Sequence, residues 1–175
     1  GIVREFNLFT LEEILDIDCQ VGRIAKQYKD YKHCLVLSDP YNFPIAAEGA
    51  LKLKEVSYVH AEGMSSGEMK HGPIAMIDQN FPTIMITPKD SVYEKNISNI
   101  EEIKARSGLI IAIATEGDSE IDKIANQTIF IPKTLELFTP VLATVVLQLF
   151  AYHFAVARGC DVDKPRNLAK SVTVE

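Results

Sequence analysis

The chain is poor in cysteine: Cys19, Cys34 and Cys160 are all it has in 175 residues. They are odd in number, widely spaced and in no CxxC pattern, which excludes a disulfide framework and a cysteine zinc site. No two histidines or cysteines stand at metal-ligand spacing, so no metal is expected. Basic charge is also scarce. The formal net charge is -6, and no run of Lys and Arg provides the clustered positive surface that phosphate backbones require, so nucleic acid is not an expected partner. An unbroken apolar run is missing too. The longest apolar stretch, 137–157, is interrupted by Thr139, Pro140, Thr144, Gln148, Tyr152 and His153, which reads as a buried amphipathic helix and not a membrane span. No signal peptide is visible, so a cytoplasmic location is expected, and the sequons at Asn96 and Asn126 are then chance matches. The chain starts with Gly1 and not Met, from which we expect a piece of a longer protein.

What is present is an ordinary globular balance, 47% hydrophobic and 24% charged, at a length suited to one domain with its own core. Residues 9–28 place Leu11, Ile14, Leu15, Val21, Ile24 and Ala25 on one helical stripe behind a Thr10 cap. CLVLS at 34–38 has no polar face and is too short for a buried helix, so it reads as a central strand. A helix is expected over 44–59, opening on Pro44, and a loop from Gly63. The remaining chain alternates strands (83–88, 109–115, 127–132) with helices (90–106, 119–125, 136–157). That alternation predicts an α/β fold, a parallel sheet covered on both faces. Such sheets bind ligands beyond the carboxyl ends of their strands, which makes SDPYNFP at 38–44 one candidate site wall and an equally ordinary strand-to-helix loop.

Three features carry possible chemistry. Glu48, Lys52 and Glu55 stand at i, i+4 and i+7, so they share one helix stripe. On the residues alone this is either a solvated face or a carboxylate base whose charge a lysine manages. His71 lies in GEMKHGP, held among Gly67, Gly72 and Pro73 in a loop, where catalytic groups concentrate. Gly63-Met64-Ser65-Ser66-Gly67 satisfies the G-x-S-x-G nucleophile elbow, but the elbow needs a strand directly before it. The segment before it reads as helix, so a hydrolase is not expected.

Two blocks are more specific. ALKLKEVSYVHAEGMSSGEMKHGPIAMID at 50–78 and DVDKPRNLAKSVTVE at 161–175 closely resemble the isomerase part of the glutamine–fructose-6-phosphate aminotransferase family, and the resemblance extends over about residues 33–175. It implies the sugar isomerase (SIS) fold, a three-layer αβα sandwich, with residues 1–175 as a single domain, the second SIS domain of the isomerase part. The N-terminal glutaminase domain and first SIS domain would be missing partners. The implied reaction makes glucosamine 6-phosphate from fructose 6-phosphate and glutamine-derived ammonia, with no cofactor. Residue by residue, the resemblance implies that Lys170 forms a Schiff base with the C2 carbonyl of the open-chain ketose. Glu55 would be the base that moves a proton between C1 and C2, with Lys52 setting its charge and relaying protons. His71 would assist ring opening from the neighbouring subunit of a homodimer, while Ala169, Lys170 and Glu55 would contact the sugar. A Schiff-base lysine must shed its proton, and Arg166, four residues away, is a cation suited to favour that. The chain departs from the family at Ser38-Asp39-Pro40-Tyr41, where relatives commonly carry Gly-Arg-Gly. A SIS module that binds a phosphosugar for sensing or dimerisation, without turnover, is the alternative.

Overall fold

The computed structural model describes residues 15–39 and 41–168. Its frame is a five-stranded, all-parallel sheet, in the order β2-β1-β3-β4-β5. The strands are β1 (His33–Ser38), β2 (His60–Ser65), β3 (Pro82–Thr87), β4 (Leu109–Thr115) and β5 (Gln127–Ile131). The period of two sorts their side chains into two clusters. Val36, Ile84, Ile86, Ile111 and Ile113 face one way, against α1 (Asp18–Tyr28), α2 (Phe43–Ser57) and α5 (Thr139–Ala157). Leu35, Leu37, Met85, Ile110 and Ala112 face the other way, against α3 (Tyr93–Lys104), α4 (Ser119–Ile124) and two short 3-10 turns, Glu68–His71 and Pro73–Met76. The expected αβα sandwich is therefore the architecture observed.

The helices end where their chemistry dictates. Asn42 and Pro44 open α2, and Tyr58 closes it in the left-handed region at φ 60°, donating its N–H to the Lys54 carbonyl. Asp118 caps α4 by accepting from the backbone N–H groups of Glu120 and Ile121. The stretch read as one helix from 136 splits into a 3-10 turn, Glu136–Phe138, and α5, because Pro140 suits a first helical turn and no later position. By length and composition α5 could cross a membrane. Here, however, Leu142, Val146, Leu147, Phe150 and Phe154 are buried against the core. Of the stripe expected over 9–28, Val21, Ile24 and Ala25 are buried, Leu15 is exposed, and residues 9–14 lie outside the described residues.

One element departs from the sequence reading. Residues 60–65 form the edge strand β2, where a helix end and a loop were expected, and His60, Glu62 and most of its other residues face solvent or are half-buried. An edge strand with one buried side chain, Ala61, leaves almost no hydrophobic pattern to read. Its mark is Gly63: a Cβ there would stand 2.5 Å from the Ala46 carbonyl oxygen, so only glycine lets α2 cross the strand this closely.

Candidate active site

The last two turns of α2 carry the acid–lysine stripe. Leu53 and Ala50 are buried on the sheet side, which turns Glu48, Lys52 and Glu55 outward together. The Lys52 Nζ donates to Glu55 Oε2 at 2.6 Å and stands 3.5 Å from Glu48 Oε1. These side chains are half-buried. The hydrogen bond to Glu55 raises the Lys52 pKa first of all, with the charges of Glu55 and Glu48 adding to it and partial burial opposing. Lys52 thus stays an ammonium beside the carboxylate, an arrangement that suits setting a charge better than abstracting a proton.

The carboxyl-terminal segment returns to the same place. Arg166 donates its backbone N–H to the Tyr58 hydroxyl at 2.9 Å, and its guanidinium lies 4.1 Å from the centre of the Tyr58 ring. Tyr58 is three residues beyond Glu55. Upstream, Asp161 accepts from the N–H groups of Asp163 and Lys164, which turns the chain toward α2. Ala169 and Lys170 lie outside the described residues.

His71 is not part of this grouping. It is exposed at the end of the first 3-10 turn, held by buried Met69 and by the 2.7 Å pair of Lys70 with Glu102 of α3. Met69 belongs to the α3 face of the sheet and Leu53 to the α2 face. Within one chain, His71 and Glu55 therefore stand on opposite faces.

The remaining candidates resolve locally. Asp39 is 2% exposed and fully engaged, accepting from the N–H groups of Tyr41 and Asn42 and from Asn42 Nδ2. Side-chain bonds thus shape the turn where relatives were expected to use glycines; Pro40 lies outside the described residues. A strand does precede Ser65, contrary to the helix expected there, so the first condition for a nucleophile elbow is met. The rest is not. Among the described residues no histidine or acid bonds Ser65, and Ser66 is buried in a bond network with Asn96 and Asn99. That network escaped the sequence reading, because two polar residues on a helix signal burial only when a partner strand end is known.

Relatives from Chlorobaculum tepidum (53% identical over 93% of this chain) and Bacteroides thetaiotaomicron (51% over all of it) are both named glutamine–fructose-6-phosphate aminotransferase [isomerizing]. The chain spans only 26% and 29% of their lengths. Among solved structures, the C-terminal domain of glucosamine-fructose-6-phosphate aminotransferase from Francisella tularensis matches with a TM-score of 0.80 and 37% identity, over 86% of this chain and 43% of that one. The family model described as SIS domain covers residues 27–158, and the chain belongs to that family.

Proposed function

We propose that this chain is the second SIS domain of an enzyme that forms glucosamine 6-phosphate from fructose 6-phosphate and ammonia released from glutamine. The observation that carries this reading is the docking of Arg166 on Tyr58, which brings the segment 161–166 back to the helix bearing Glu55. Lys170 follows four residues later, within a reach of at most about 14 Å. Its amine adds to the C2 carbonyl of the open-chain ketose, water leaves, and an iminium forms. Ammonia then displaces the lysine, and Glu55 takes a proton from C1 and returns it to C2, leaving the amine on C2 and an aldehyde at C1. An adjacent iminium acidifies the C1 proton, so one carboxylate suffices as base. Lys52 donates to that carboxylate through the 2.6 Å bond and sets a positive charge beside it. His71 opens the sugar ring from a neighbouring subunit, because its own chain puts it on the far face of the sheet. The first SIS domain, lying in the greater length of the relatives, supplies the rest of the sugar site, and the glutaminase domain the ammonia.

The test uses the full-length enzyme. Borohydride reduction with fructose 6-phosphate is expected to add the sugar mass to the peptide containing Lys170. In Glu55→Gln the adduct persists while product formation falls by about 10²–10⁴-fold. Absence of the adduct in both proteins would remove the imine step, and unimpaired product formation by Glu55→Gln would remove the base.

A further inference from the structure

The outer face of α5 carries no charge. From Thr139 to Ala157 the helix has no Asp, Glu, Lys or Arg. The most apolar 18-residue window of Glu136–Ala157 has a mean hydropathy of 1.7, yet only 44% of it is buried. Leu142, Val146 and Phe150 pack toward the sheet. On the other side Val141, Val145, Gln148, Tyr152 and Val156 stand at i, i+4, i+7, i+11 and i+15, so they form one row about 22 Å long. Val141, Tyr152 and Val156 are 44%, 49% and 49% exposed. Leu137, also exposed, continues the row past the start of the helix, where the Tyr41 hydroxyl stands 3.5 Å from its carbonyl oxygen. A helix that meets water turns charged side chains to that side, so this row calls for a cover.

Both helices beside α5 supply charge. A Cβ on Gly49 of α2 would stand 2.6 Å from Leu147 Cδ1, which shows the flank that α2 turns to α5. Ile45, Lys52 and Val56 share that flank by helical spacing. Lys52, bonded to Glu55 and near Glu48, therefore borders the apolar row. On the other side His153 pairs with Asp18 of α1 at 2.7 Å and crowds Gly22. Lys26, one turn beyond Gly22, is exposed on that flank. An apolar centre inside a charged rim is the anatomy of a protein–protein interface, and the two rim carboxylates disfavour an anionic lipid surface.

Size and tethering select the occupant. The row alone offers about 200 Å², from its length and a width of about 10 Å, whereas a stable interface takes about 800 Å² from each partner. A partner seated on α5 must spread over the flanks, and the α2 flank holds Lys52. The Francisella tularensis domain, 37% identical to this chain, is matched over only 43% of its length, so a further stretch of similar size belongs to that same polypeptide. A partner tethered in this way is present at an effective concentration in the millimolar range, which a second copy in dilute solution does not reach.

We propose that the outer face of α5 is the seat of the first SIS domain of the same polypeptide, and that the seated domain closes over Lys52 and Glu55 from the α5 side. The identity of the occupant rests on the reading of this chain as a second SIS domain. The face itself does not depend on the chemistry assigned to Glu55.

Replacing Tyr152 by the photo-cross-linker p-benzoylphenylalanine in the full-length enzyme tests this. The expected product keeps the mass of one subunit on a denaturing gel, and peptide mapping places the link in the first SIS domain. A link at the mass of two subunits, a link to the glutaminase domain, or no link would overturn the proposal. The same cross-linker in the Glu55→Gln enzyme should react alike, so a failure of the catalytic reading leaves this result standing. Tyr152→Glu then reads the closure over the site. The side chain is exposed in this chain, so the Tm of the 175-residue chain should shift by less than about 2 °C. In the full-length enzyme kcat/KM for fructose 6-phosphate should fall about tenfold, and an unchanged value would overturn the closure over Lys52 and Glu55.

Discussion

Asp90 shows how one residue can set a pH dependence. Burial pushes its pKa up to about 6; the Asp39 and Glu136 carboxylates add to this, while the Val92 N–H opposes it. Glu116, Asp118, Lys89 and Lys133 line a surface cavity together with it. The folded protein holds this proton more tightly than the unfolded chain, whose Asp titrates near 3.8. The stability involved is therefore fully present below that value and is lost as pH rises through about 6. With discounting for partial exposure, the loss is about 2 kcal/mol. Asp90→Asn mimics the neutral form. It is expected to raise Tm at pH 8 by about 4–8 °C and to change it little at pH 4, as differential scanning calorimetry would read; an equal shift at both pH values would contradict the assignment. None of this was legible beforehand, because Asp90 looks like any polar residue in a loop. The Glu48, Lys52 and Glu55 stripe was legible, since helical spacing alone decides which side chains share a face.

At the scale of elements, β1, β3 and β4 announced themselves as apolar runs too short to be helices. The edge strand β2 did not, because one buried alanine sets no period. The other element-scale feature is the join between the end of α2 and the carboxyl-terminal segment. Tyr58 contributes a ring face and a hydroxyl to Arg166, and these can be separated. Tyr58→Phe keeps the stacking and loses one exposed hydrogen bond, while Tyr58→Leu loses both. In the full-length enzyme, Tyr58→Leu is expected to slow borohydride trapping at Lys170 by about tenfold, the effect of misplacing a reacting group, and Tyr58→Phe by about two- to threefold. Global stability should change by less than about 1 kcal/mol in both, because the contact is exposed. Trapping at the wild-type rate in Tyr58→Leu would show that the segment reaches its position without this anchor.

The molecule as a whole turns the placement of two residues into a statement about assembly. Glu55 rides on the α2 face of the sheet and His71 on the α3 face, with the sheet's own side chains packed between them. With the sheet between them, a site that uses both side chains is expected to draw them from two chains. In a two-fold dimer each site would combine Lys170 and Glu55 of one subunit with His71 of the other. Full-length His71→Ala and Lys170→Ala variants would each be inactive as homodimers. In a mixed dimer the Lys170→Ala subunit supplies an intact His71 to the site holding the other subunit's intact Lys170, and the second site has lost both. Random exchange of equal amounts should therefore restore about a quarter of the wild-type activity. Activity measured after subunit exchange, with exchange followed by native mass spectrometry, reads this directly. Mixed dimers formed without any recovery would mean that His71 serves no site across the interface, and the opposed faces would then leave it outside the chemistry.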